Sequence, residues 1–212
     1  MNPYALTALV LLAIAASGQY FFGSKKNRAI SSRLSRDLED SLKPQTTNYV
    51  NIGGTIGYNF AYSMTVPWSK AKGTFTVNAR HSLLYLPLSL LFGIRDRFYM
   101  NLFTKKKLSG EGHIVSAAYL RKANIDGIDS MKKTEVFQSG KKFFLLYKLP
   151  EMEKSLKELL DSMPEPVRLR HFCIYPETKT FFIYYLPRQG KLKPLLDTLL
   201  PQLPNWFDGR EE

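Results

Sequence analysis

The chain has 212 residues, 44% of them hydrophobic and 23% charged, a balance that excludes an intrinsically disordered protein. One cysteine, Cys173, excludes an intramolecular disulfide. Lys and Arg number 30 against 18 Asp and Glu, and a formal net charge of +12 points to anionic partners: lipid headgroups, RNA or an acidic protein surface.

Residues 4–22, YALTALVLLAIAASGQYFF, contain no charge. As a helix they would run about 28 Å, close to the ~30 Å hydrocarbon core of a bilayer, where only a helix satisfies its own backbone. Leu6, Leu9, Leu11, Leu12 and Ile14 form the oily body, with Tyr4 at one end and Tyr20, Phe21 and Phe22 at the other, where aromatic belts sit. Lys25, Lys26 and Arg28 follow the run, and only the amino terminus precedes it. The positive-inside rule therefore predicts an outward N-terminus and a cytoplasmic C-terminal domain. A cleaved signal peptide competes, since Ala13, Ala15, Ala16 and Ser17 are small enough, but its basic residues should come first. A buried core helix should carry a broader polar stripe than Thr7, Ser17 and Gln19 supply. The preferred reading is a transmembrane anchor over residues 1–23.

Residues 24–54 read as a basic neck and linker. Ile30, Leu34, Leu38 and Leu42 recur every four residues, a narrow apolar stripe on a helix that either continues the span or lies at the interface. Lys25, Lys26, Arg28, Arg33 and Arg36 make its first half basic, and Pro44 ends it. Residues 45–54, QTTNYVNIGG, read as a polar linker.

Residues 55–212 are expected to form a cytoplasmic α+β domain of antiparallel hairpins with helices on one face, with two similar halves suggested by element order. Strands are predicted over 56–65 and 74–79, with Pro67, Lys72 and Gly73 in the turn between them. Residues 80–94, RHSLLYLPLSLLFGI, are too short to span a bilayer. They read either as a Pro87-kinked helix buried in the domain, which the length rule prefers, or as an interfacial element in which Leu83, Leu86 and Leu90 touch membrane. Residues 98–103 and 112–119 are predicted to form a hairpin across a loop carrying Lys105, Lys106 and Lys107, and residues 121–133 read as loop. A strand over 143–149 precedes a helix over 152–163; a second hairpin joins 167–175 to 180–186, and a leucine-rich helix covers 192–203.

Signals for chemistry are sparse. No HxH, HExxH or CxxC spacing occurs, and Gly53-Gly54-Thr55-Ile56-Gly57 lacks the lysine of a phosphate loop. His171 and Cys173 lie two apart on a predicted strand and so share a face, the best catalytic or metal pair available. Cys173 between Phe172 and Ile174 reads more simply as a small core residue. No cofactor is predicted, and a non-enzymatic protein is expected.

The stretch QYFFGSKKNRAISSRLSRDLEDSL (19–42) resembles the membrane exit and neck of the calumin family, coiled-coil-domain proteins of the PAT intramembrane chaperone complex. HFCIYPETKTFFIYYLP (171–187) with the closing leucine-rich helix is similar to the family's later pattern. The family's acidic region before the span and basic coiled coil after the domain have no counterpart between Met1 and Glu212, so the resemblance implies a minimal form. It implies a protein that assists membrane-protein insertion or folding by binding, beside a translocon or a small membrane-protein partner. Contacts with ribosomal RNA or anionic lipid headgroups would come from the basic neck and the Lys105, Lys106 and Lys107 loop. The reading weighed against it is a peripheral lipid-binding or lipid-handling domain, which requires the leucines of residues 83–91 to be exposed.

Overall fold

The computed structural model describes residues 2–209. Its longest element is helix α1, Pro3–Leu42, which at about 1.5 Å per residue extends roughly 60 Å. Asn2 caps it by accepting from the Tyr4 N–H, and Pro3 starts it where a missing N–H costs nothing. The helix runs unbroken through Gly18 and Gly23, so the neck continues the apolar segment. Its two halves meet opposite surroundings. The first holds a window long and apolar enough to cross a membrane, none of it buried against the rest of the chain. In the second, Ile30, Leu34, Leu38 and Leu42 are all buried, the face expected from their four-residue spacing. Lys43 adopts a left-handed conformation and donates its N–H to the Glu39 carbonyl, and Pro44 follows, where continuation is disfavoured.

Among the described residues nine strands follow: β1 (Thr46–Asn51), β2 (Gly57–Ser63), β3 (Trp68–Thr76), β4 (Arg97–Thr104), β5 (Gly112–Ser116), β6 (Lys132–Gln138), β7 (Lys141–Tyr147), β8 (Leu169–Tyr175) and β9 (Thr180–Tyr185). They form one sheet in the order β1-β2-β3-β4-β9-β8-β5-β7-β6, with every neighbouring pair antiparallel. Helix α2 (Tyr85–Leu91) lies between β3 and β4, α3 (Leu120–Ala123) between β5 and β6, α4 (Met152–Ser162) between β7 and β8. Helix α5 (Lys193–Leu199) follows β9 and runs into a 3-10 turn over Leu200–Trp206.

One sheet face carries the main core. Alternate residues such as Phe60, Phe75, Phe98, Phe172 and Ile183 pack under Leu34 and Leu38 of α1, Leu156 and Leu159 of α4, Leu196 of α5 and Trp206. Asp37 of α1 accepts from the Leu192 and Lys193 N–H groups at 2.7 and 3.0 Å, satisfying the start of α5 from another helix. On the opposite face, α3 and its flanking loop cover a smaller cluster of Val115, Met131, Phe144 and Leu146. The α+β class with an N-terminal membrane-length helix is therefore as expected, with α3 as an addition on the second face.

Several local expectations need correction. Residues 46–51, expected as linker, are the edge strand β1, and residues 132–138 form the other edge, β6, although the predicted loop ran to residue 133. Lys72 and Gly73 are mid-strand in β3, not in a turn. Glycine is required there because a Cβ would collide with the Tyr99 carbonyl of β4 and lie 2.6 Å from the Phe60 ring. Strands β4 and β5 do not form a hairpin: β9 and β8 lie between them, inserted by later chain. The 180–185 to 169–175 hairpin forms as expected, turning at residues 176–179.

Candidate functional site

The site is built where α1 leaves its apolar half. Gly23 and Ser24 are buried, and Gly23 lies so close to residues 80–81 that a Cβ would overlap the Arg80 carbonyl. Gln19 Nε2 donates to that carbonyl at 2.5 Å, and the Tyr20 ring meets His81 edge-on at 5.9 Å between centroids. One turn on, Asn27 Nδ2 donates to the Asn78 carbonyl at 3.0 Å, while Arg80 Nη1 donates to Asn27 Oδ1 at 3.2 Å. Arg80 Nη2 pairs with Asp96 Oδ2 at 2.8 Å, and the other Asp96 oxygen accepts from the Asn78 N–H at 2.8 Å. A buried carboxylate is tolerated because a guanidinium and a backbone N–H both answer it. The result is a clamp joining α1 to the segment before α2 and to the residue before β4.

The clamp ties the segment that leads into α2 to the point where the exposed half of α1 begins. Leu84, Leu88, Leu90, Leu91 and Phe92 are all exposed, Leu91 at 79% and Phe92 at 76%, and only Ser89 of the helix is buried. The preferred expectation of a buried helix is thus overturned. Leu83 and Leu86 are half-buried and Leu90 is exposed. Periodicity could not decide this, because seven residues that are nearly all apolar have no polar face to mark the outside. Leu6, Leu9, Leu11, Leu12, Ile14, Tyr20, Phe21 and Phe22 are exposed along α1. Two exposed apolar surfaces therefore adjoin the clamp, a pattern large for a chain surrounded by water.

The basic residues divide in two. Lys25, Lys26, Arg28, Arg33 and Arg36 are exposed on α1, with Arg33 donating to the Gln189 carbonyl at 3.3 Å. Lys105, Lys106 and Lys107 are exposed just after β4, whereas α2 lies just before it, so the loop and α2 are separated by the strand's length, about 27 Å.

His171 and Cys173 do share a face of β8, and register brings in a third residue: His113 of β5 pairs with Cys173. The three could hold a metal, since their ligand atoms lie within 4.8 Å of one another and all three side chains are buried. His113 Nδ1 and His171 Nε2 are 3.1 Å apart, one donating to the other, and His113 Nε2 is 3.3 Å from Glu111 Oε1, the carboxylate–histidine arrangement that orients metal ligands. Three ligands leave a zinc shell one short. Burial holds the His113 pKa down, and burial with the neighbouring His113 drives His171 to about 3, so the pair is neutral near pH 7. Burial also raises the Cys173 thiol well above its ordinary range, the opposite of an activated nucleophile. Neither Arg80, Asp96 and Asn27 nor the partnership of His113 was legible in the sequence, because each depends on pairing between distant segments. No protein-family model and no curated protein matches the chain.

Proposed function

We propose that this protein is a single-span membrane-anchored binding factor, non-enzymatic, that serves membrane-protein biogenesis from the cytoplasmic side. The observation carrying this reading is the joint exposure of α1's first half and of α2, held together by the Gly23, Asn27, Arg80 and Asp96 clamp. A helix continuous from span to core cannot swivel, and α2 adds a second apolar contact, so the domain would sit against the bilayer at a fixed angle. Lys25, Lys26 and Arg28 directly follow the aromatic end of the span, which favours an outward N-terminus. Ala8, Ala15 and Gly18 offer a small-residue face for a partner helix. The task follows from the resemblance to the calumin family: assisting multi-spanning proteins beside a translocon. The Lys105 to Lys107 loop, remote from α2, would then meet ribosomal phosphate. An enzyme using His171 and Cys173 has less support, since the thiol is buried and its pKa raised.

The exposure of Leu84, Leu91 and Phe92 also favours a second reading, a peripheral lipid-binding or lipid-handling domain. Isolation of the full-length protein in mild detergent separates the two. Co-recovery of ribosomes and translocon subunits, lost in the Lys105→Glu/Lys106→Glu/Lys107→Glu variant, supports biogenesis. Recovery of lipid with no ribosome sinks it and leaves the lipid reading.

A further inference from the structure

We propose that the hollow behind α2 binds the phosphate of an anionic lipid headgroup; the idea deepens the bilayer seating proposed above and rests on it. After α2 the chain turns at Gly93, in the left-handed region at φ 65°, and the Ile94 N–H donates to the Ser89 carbonyl at 2.8 Å. From there successive residues alternate: Asp96 enters the clamp with Arg80, while Arg95 and Arg97 line a concavity of about 340 Å³. Lys122, just within α3, and Arg170 of β8 line it too, bringing four cations from three segments to one hollow. Tyr99 and Tyr184 stack at 4.3 Å, and Tyr119 meets Tyr184 edge-on at 5.0 Å, giving the hollow an aromatic wall with hydroxyl donors.

A solvated basic face is the simpler account of most lysines, and elsewhere on this domain the cations behave that way. Lys142 pairs with Glu135, Lys148 with Glu111 and Lys193 with Asp197. In the hollow no carboxylate lines the surface, and among the described residues none pairs with any of the four cations. Like charges gathered in a concavity repel unless an anion neutralises them, and guanidinium forks match phosphate oxygens. The source of the phosphate follows from position. Phe92, 76% exposed at the end of α2, forms part of the lining, so the hollow opens beside the surface offered to the bilayer. A phosphate at headgroup depth would enter while its acyl chains lie along Leu91 and Phe92; free phosphate would gain nothing from that apolar edge.

The test uses the full-length protein in neutral detergent micelles, titrated calorimetrically with dihexanoyl phosphatidic acid, dihexanoyl phosphatidylcholine and inorganic phosphate. Saturable one-to-one binding of the phosphatidic acid is expected, with the other two about tenfold weaker or worse. Arg97→Gln/Arg170→Gln should weaken it about tenfold or more, and Lys154→Gln/Lys157→Gln, exposed on α4 over the other sheet face, should leave it unchanged. If the double variant does not fold, Lys122→Gln at an exposed position replaces it, with a smaller loss expected. Equal affinity for inorganic phosphate overturns the lipid source, and equal affinity for phosphatidylcholine overturns recognition of anionic charge. An undiminished Arg97/Arg170 or Lys122 variant, or an equal loss in the Lys154/Lys157 variant, overturns the site. Micelle binding does not require α2 to touch a bilayer, so this failure is separate from a failure of the seating, which membrane depth at Leu91 reports.

Discussion

Replacing Gly23 with alanine should destabilise the protein, although the same change in an ordinary helix interior stabilises by about 0.5–1 kcal/mol. A Cβ at Gly23 would overlap backbone atoms of Arg80 and His81, which cannot rotate aside as a side chain can. Restoring van der Waals distance moves the segment by roughly 1 Å, an overpacking cost of about 1–3 kcal/mol. That shift also strains the Gln19–Arg80 and Asn27–Asn78 hydrogen bonds, each worth about 1 kcal/mol. After subtracting the propensity gain, the net loss is about 2–3 kcal/mol, or a fall in Tm of roughly 5–10 °C for a domain of this size. Gly18→Ala is the control, because nothing lies within 4 Å of a Cβ there, and it should match or exceed the parent. Thermal unfolding followed by near-UV circular dichroism in one detergent compares the three proteins. If Gly23→Ala is as stable as Gly18→Ala, α1 is not clamped to the 78–81 segment and the fixed geometry of the anchor fails with it.

Asp96→Ala leaves the Arg80 guanidinium and the Asn78 N–H without their acceptor and should cost about 3 kcal/mol in the same assay. Combined with Gly23→Ala it should cost clearly less than the sum, since both break one clamp; strict additivity would contradict that. The buried His171, whose pKa is driven down to about 3, stays neutral in the folded state while the unfolded chain protonates near 6.5. Its contribution is therefore complete above pH 6.5 and lost as pH falls towards 3, by about 2 kcal/mol at pH 5, with His113 adding in the same direction. Urea midpoints at pH 7.5 and 5 should diverge in the parent and much less in His171→Phe; equal divergence would refute the assignment. Cys173 should react with a maleimide at pH 7.5 far more slowly in the native than in the urea-unfolded protein, and comparable rates would mean an accessible thiolate.

What the sequence revealed followed from burial. The stripe of Ile30, Leu34, Leu38 and Leu42 and the strands at 169–175 and 180–185 carry enough buried apolar residues to announce their period. Strands β1 and β6 are the two edges of the sheet, so TTNYVN and KKTEVFQ are largely polar and gave no hydrophobic run. Edge lysines such as Lys132 and Lys133 discourage further pairing, which also makes the segment resemble loop. Nearest-neighbour logic joined β4 to β5 across the lysine loop, but pairing with β9 places the Phe98 and Met100 side chains over the main core between neighbours supplied much later in the chain. The clamp, the histidine pair and the cationic hollow share that origin: each assembles residues dozens of positions apart.

Depth in the bilayer tests the seating most directly. The full-length protein is labelled with nitrobenzoxadiazole at Leu91→Cys, with Lys106→Cys as reference, Cys173 being buried, and reconstituted with lipids brominated at successive acyl positions. If α2 seats the domain, Leu91→Cys is quenched most strongly by bromine near the headgroup end of the chains and Lys106→Cys is not quenched at all. A Leu91→Cys label with no quenching, in a protein whose α1 is inserted, would mean that the domain hangs free of the membrane.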